Sequence, residues 1–106
     1  MKRIYITNAI PYVNAAPHVG HALEYVQTDC LVRFYKLLGY DVFYAAGADE
    51  NSLKNVQAAE AENVPIKKLV DKYAKEYENL KDALNISWDV FNRTSQRHHI
   101  TGAQKL

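Results

Sequence analysis

The sequence is short of the residues that staple or interrupt a chain: of 106 residues, one is cysteine, three are proline and four are glycine. A lone Cys30 cannot close an intramolecular disulfide and excludes a zinc site built from several thiolates, which suits a reducing compartment. Free cysteines behave as small hydrophobes, so Cys30 is expected in the core rather than as a nucleophile. An excess of one charge is also missing. Thirteen Lys and Arg stand against twelve Asp and Glu, a formal net charge of +1, and no basic block marks a nucleic-acid surface. The longest apolar stretch, around Val42 to Ala48, is far short of the ~20 residues of a membrane span. The residues after Met1-Lys2-Arg3 offer too little apolar length for a secretory leader. No membrane partner is expected, and the cytoplasm is the expected compartment.

What is present is a domain-sized apolar share of 48%. Area scaling gives roughly 6,000 Å² of folded surface, about two-thirds of the open chain being buried. That supports one modest core and rules out a second full domain.

Along the chain, RIYITN at about 3–8 alternates β-branched and aromatic residues and runs into the breakers of AIPYVNAAP, as a short buried strand does. From His18 to about Leu38, apolar residues at 19, 22, 23, 26, 30, 34, 37 and 38 follow helical spacing, with Pro17 as the start signal and Gly39 as the stop. DVFYAAG reads as a second strand and Ser52 to about Glu62 as a second helix. Ile66, Leu69, Val70, Tyr73, Tyr77, Leu80 and Leu84 stripe a third helix. ISWDVFNRTS follows as an extended segment, and Ser95 is expected to cap a last helix near Gln96. The order strand, helix, strand, helix, helix, strand, helix is that of a parallel α/β unit with right-handed crossovers.

PYVNAAPHVGH, residues 11–21, lies where the first strand gives way to the first helix, and ligands bind at the carboxyl ends of parallel strands. A helix start near His18 offers unpaired backbone N–H groups and a positive dipole end, both suited to phosphate. His18 and His21 add donors at i and i+3. At ~100° per residue they centre roughly 140° from the apolar stripe, so they are expected to point away from the core. Gly20 leaves room for a flat base against the backbone. A histidine pair at this spacing also suits a surface metal pair or two solvated side chains; the proline before it, the glycine within it and the strand-loop-helix context favour a nucleotide triphosphate. Tyr12 reads equally as a loop aromatic on the core, and Asp49 as a turn residue.

PHVGH resembles the HIGH motif of the class I aminoacyl-tRNA synthetases. The wider run from IYITNAIPYVN through GYDVFYAAGADE, then NISWDVFNRTS and RHH, resembles the amino end of the methionine-specific members. The resemblance covers nearly the whole chain. It implies a parallel three-layer Rossmann-like (HUP-type) nucleotide-binding half-domain of about three strands. It further implies ATP-dependent activation of methionine to methionyl-adenylate and transfer to tRNA(Met), with ATP as Mg²⁺-accompanied co-substrate.

By position, His18 and His21 would be catalytic at the phosphates, with Asn14, Pro17 and Gly20 on the nucleotide side. Ile10, Pro11, Tyr12, Asp49 and Glu50 would meet the amino acid, Asp49 holding its ammonium group. The chain departs from the family's Gly-Thr-Asp-Glu-His-Gly at Gly47-Ala48-Asp49-Glu50-Asn51-Ser52, which lacks the His and the last Gly. His98, His99, Lys54, Lys67 and Lys68 are expected to be solvated.

On this resemblance, residues 1–106 are the amino-terminal portion of a catalytic domain, without the zinc-bearing connective insertion, the KMSKS loop or the anticodon domain. Such a piece would bind no zinc, would be inactive in tRNA charging, and would leave an exposed sheet edge prone to self-association. A free-standing nucleotidyltransferase, a non-catalytic ATP-binding module and a synthetase for another apolar amino acid are the competing functions.

Overall fold

Side chains along a strand alternate between its two faces, and here one face is covered. In DVFYAAGA, Val42, Tyr44 and Ala46 are buried while Asp41 and Phe43 are exposed on the other side; in RIYIT, Ile4 and Ile6 are half-buried and Arg3, Tyr5 and Thr7 exposed. The computed structural model describes all residues 1–106. It contains β1 (Arg3–Thr7), α1 (Val19–Leu37), β2 (Asp41–Ala48), α2 (Leu53–Glu62), α3 (Ile66–Ala83), β3 (Val90–Arg93) and α4 (Arg97–Lys105).

The strands lie in the order β1-β2-β3, all parallel, in register from Arg3↔Asp41 to Thr7↔Ala45 and from Ala45↔Val90 to Ala48↔Arg93. Two steps in one direction with right-handed crossovers put their helices on the same side of the sheet. Tyr77 of α3 accordingly touches His21 of α1. This is the parallel α/β class expected. Of the three layers, these residues build two, with a shortest extent of 17 Å and an open sheet face where the Tyr5 and Phe43 rings stack at 5.8 Å. Accessible surface is 7016 Å², above the roughly 6,000 Å² expected of a compact chain this size.

Helix α1 corrects two expectations. Its packed face carries Tyr25, Asp29 and Val32, whereas Val19, Leu23, Val26, Phe34 and Leu37 of the apolar stripe are exposed, and Cys30 with them. Periodicity identifies the helix but not the side that packs, because the packed positions here are held by a tyrosine and a carboxylate. The Asp29 side chain is 9% exposed. Its Oδ1 accepts from the Ser87 N–H at 2.7 Å and from Ser87 Oγ at 2.5 Å, and its Oδ2 from Arg33 Nε at 2.6 Å. Arg33 Nη2 in turn donates to the Asn85 carbonyl at 2.7 Å.

NISWD is therefore a structural run. Asn85 turns the chain out of α3 with φ 53°, Ile86 and Trp88 enter the core, and Asp89 Oδ2 accepts from the Tyr44 N–H at 2.8 Å. Trp88 meets Tyr25 edge-on at 5.5 Å. Helix α3 packs through Leu69, Val70, Ala74 and Tyr77, close to its expected stripe. Gly39, at φ 86°, follows α1 as a left-handed stop. Ser95 does not cap α4; Gln96 precedes the helix without a side-chain bond, and the Ser95 N–H is used by Glu50.

Burial pushes the Asp29 carboxyl up, but the Ser87 and Arg33 hydrogen bonds outweigh it and hold the value below the ordinary one. A depressed folded value means its contribution is complete above the ordinary carboxylate range and is lost as pH falls through that range to the folded value. Replacing Asp29 with Ala strands the Ser87 donors and Arg33, with an expected cost of about 2–4 kcal/mol in urea unfolding at pH 7 that shrinks progressively below pH 4. Asp71→Ala, at a more exposed pair, should cost about 1 kcal/mol or less.

Candidate functional site

The loop leaving β1 is pinned from two sides. Glu24 Oε1 of α1 accepts from the Ala9 N–H at 3.0 Å, and the Asp49 N–H donates to the Pro11 carbonyl at 2.8 Å, making Tyr12 and Asp49 an isolated parallel bridge beyond β1 and β2. Val13 is fully buried beneath this loop. Pro11, Tyr12, Asn14, His18 and His21 consequently line one cleft of about 310 Å³ at the carboxyl ends of the strands, with Ala15, Ala16, Lys54 and Tyr77 completing its wall. Five of the ten residues singled out in the sequence thus come together.

His18 is the residue at which α1 starts, and its Nδ1 accepts from the Gly20 N–H at 3.0 Å. His21 reaches back, its Nδ1 accepting from the His18 N–H at 3.2 Å, so the pair forms a capping box with histidines in both places. The rings lie 3.9 Å apart. His21 does not point away from the core as the stripe geometry implied: it sits on the packed side of α1, with Tyr77 Oη 3.3 Å from each ring nitrogen. Burial, and then the neighbouring His18, lower its pKa, with Glu24 opposing them. His21 is thereby biased toward the neutral form near pH 7.

Gly20 differs from expectation too. A Cβ there would stand 2.8 Å from His18 Cε1, so the room it leaves is taken by the His18 ring. Pro17 is half-buried just ahead of the cap and lies outside the cleft wall. Ile10 is 44% exposed beside Gly47, where a Cβ would fall 2.3 Å from the Asn92 carbonyl oxygen.

Asp49 is half-buried; its Oδ1 accepts from the Asn51 N–H at 3.1 Å and its carbonyl from Asn55 Nδ2 at 3.2 Å. Glu50, expected at the substrate, is a correction. Its side chain is 2% exposed and its carboxylate is consumed internally, by Arg93 Nε at 2.7 Å and the Ser95 N–H at 3.0 Å. The Glu50 N–H donates to Thr94 Oγ1 at 2.8 Å, and Arg93 also reaches Asp71 at 2.5 Å. A buried carboxylate, paired with Arg93 and the Ser95 N–H, ties the β2 exit to the β3 exit.

Lys54 is the residue missed in the sequence. Ser52 Oγ caps α2 by accepting from the Asn55 N–H at 3.2 Å, and the first turn so formed carries the Lys54 ammonium 6.0 Å above the Tyr12 ring. Lys54 has no carboxylate partner, so the cleft wall holds one fixed positive charge, two imidazoles and no acid. The helix-cap signal of Ser52 was readable in the sequence; the lysine's direction was not. His98 and His99, by contrast, bind the Asn92 amide, at 2.7 and 2.9 Å, away from this wall. No three His, Cys, Asp or Glu side chains gather in a way that holds a metal ion.

Comparison with known proteins bears on this cleft. Residues 4–106 match the family model described as tRNA synthetases class I (M). The chain is 47% identical over its full length to a methionine–tRNA ligase of Mycobacterium bovis, and 37% identical over 99% of its length to one of Brucella suis. It spans about a fifth of the length of those relatives, 20% in each case. Among solved structures it superposes with TM-score 0.96 and 46% identity on Mycobacterium tuberculosis methionyl-tRNA synthetase in complex with methionyl-adenylate. That match covers 99% of this chain and 21% of the other.

Because the Asn92 oxygen is backbone and cannot swing aside, Gly47→Ala must spread β2 from β3, and an unfolding loss of about 3 kcal/mol or more is expected in urea titration. At Gly20 the opposing terms are similar: Ala gains up to ~1 kcal/mol of helix propensity and loses ~1 kcal/mol of cap. Gly20→Ala should therefore leave the melting midpoint within a few degrees while displacing the His18 ring, seen as a change in its imidazole NMR shifts.

Proposed function

The chain belongs to the class I tRNA synthetases of the (M) family, and from that membership we propose that it supplies the HIGH-motif half of a methionine-activating site. On this proposal residues 1–106 are the amino-terminal part of a catalytic domain that forms methionyl-adenylate from methionine and ATP and passes the methionyl group to tRNA(Met) in the cytoplasm. The observation that carries the reading is the meeting of His18, His21, Lys54 and Tyr12 in one acid-free cleft at the strand ends. The neighbour's adenylate complex supports the ligand class.

In the reaction proposed, a carboxylate oxygen of methionine attacks the α-phosphorus of ATP and the bond to pyrophosphate breaks. No proton has to be removed from the nucleophile. The residues' work is electrostatic: His18 and His21 would donate to phosphate oxygens as charge shifts toward the leaving group, alongside the first-turn N–H groups of α1. Asn14 would face the nucleotide from the cleft wall, with Pro17 and Gly20 shaping the α1 start behind it. Ile10, Pro11 and Tyr12 would meet the methionine side chain, and Asp49, whose Oδ1 already holds the Asn51 N–H, would take the ammonium group. Lys54, near the Tyr12 ring in the same cleft, would face the two anions being joined. Mg²⁺ would travel with the nucleotide phosphates. Glu50 acts on the loop rather than the substrate.

Pyrophosphate exchange in the full-length protein tests this. Methionine-stimulated exchange is expected, with loss of ~100-fold or more for His18→Ala or His21→Ala and a stability loss of only about 1 kcal/mol from the broken cap. Exchange stimulated by another amino acid, or full exchange in the double variant, would sink the assignment. This chain by itself should show no tRNA charging. With one sheet face and an outer β1 edge uncovered, it should self-associate at high concentration, detectable as concentration-dependent sedimentation.

A further inference from the structure

The two cleft imidazoles make their shortest polar contacts with the start of their own helix, and those contacts have a direction. Gly20 N–H points at His18 Nδ1 at 3.0 Å, and His18 N–H points at His21 Nδ1 at 3.2 Å. A backbone amide only donates, so both Nδ1 atoms must present a bare lone pair, and the proton of each neutral ring stands on Nε2. His21 has a second restraint: the Tyr77 phenol, brought from α3 across 56 residues of sequence, lies 3.3 Å from its ring nitrogens with the rings edge-on at 79°.

We propose that the α1 cap locks His18 and His21 as Nε2–H tautomers, neutral hydrogen-bond donors, and that Tyr77 is a positioning residue whose phenol, set edge-on with its Oη equidistant from the two His21 nitrogens, holds that ring in the cleft and leaves Nε2–H free. This deepens the reading of the phosphate site under Proposed function and rests on it only for the ligand, since the tautomer lock is a property of the free chain. A phosphate oxygen entering the cleft can accept from the Nε2–H donors without any change of protonation. A second proton on either ring has to go to Nδ1, where it meets an amide hydrogen, so protonation and the helix cap exclude each other. The other charged groups around His21 are Glu24 of α1, engaged with the Ala9 N–H, and Lys54 across the cleft. Tyr77 itself stays a neutral phenol, its pKa raised by burial and then by Glu76.

The test is imidazole ¹⁵N and backbone amide NMR on this chain, with no ligand added. At pH 7.5 both His18 and His21 should show the Nε2–H pattern. On acidification the amide resonances of His18 and Gly20 should move with the same midpoints as the His21 and His18 rings respectively, because each amide loses its acceptor. In Tyr77→Phe the His21 Nε2 resonance should shift while the Gly20 amide stays in place, and circular dichroism should be unaltered. A Nδ1–H or evenly mixed tautomer in the parent chain, or cap amides that ignore the ring titrations, would overturn the lock. A His21 spectrum indifferent to Tyr77→Phe would overturn the positioning role, as would recovery of the parent His21 spectrum in Tyr77→Leu. Because no nucleotide enters the measurement, failure here leaves the methionine-activation reading standing, and failure of pyrophosphate exchange leaves the lock standing.

Discussion

One buried carboxylate decides where the last strand goes. Asp29 sits in the middle of α1 and receives two donors from Ser87 and one from Arg33. Four residues after Asn85 leaves α3 in the left-handed region, the chain has been turned, fastened to α1 and aimed along β2. Everything at the β3 exit inherits that direction: Thr94 and Ser95 reach Glu50, Arg93 closes on Glu50 and Asp71, and the loop bearing Asp49 is held beside Tyr12. A charge is a costly thing to bury, and here it is satisfied well enough that its pKa falls despite the burial. The candidate site is thus positioned by a polar clamp as much as by apolar packing.

The division of labour among the motif-like stretches follows from this. PYVNAAPHVGH builds the cleft, because strand pairing ends just before it and a helix begins within it. NISWD builds the frame. The acidic Asp49 and Glu50, adjacent in sequence, face different duties since a strand exit turns neighbours apart: one is half-open next to Tyr12, the other nearly sealed against Arg93. Ser52, standing where the family pattern has glycine, supplies the α2 cap and so the direction of Lys54.

Most of the architecture was legible in the residues. Period-two alternation marked β1 and an apolar run β2, the strongly striped α3 packs almost as written, and the breakers around Pro11 and Pro17 located the cleft. The face of α1 was not legible. Hydrophobic spacing assumes that the packed side is the apolar one, and Tyr25 and Asp29 violate that by satisfying or burying their polar atoms through partners more than fifty residues away. The same limit hid the inward turn of His21, the capture of Glu50 and the cleft position of Lys54: each depends on a contact between segments whose separation in sequence carries no local signal.

The outward stripe of α1 has a practical side. It carries the chain's sole thiol on an accessible helical surface, twelve residues along from His18, or ~18 Å at the helical rise. Maleimide chemistry can therefore attach one fluorophore or nitroxide without removing or adding any cysteine. That spacing falls in the working range of energy transfer and paramagnetic relaxation. Occupancy at the start of α1 becomes readable from a probe that never enters the cleft.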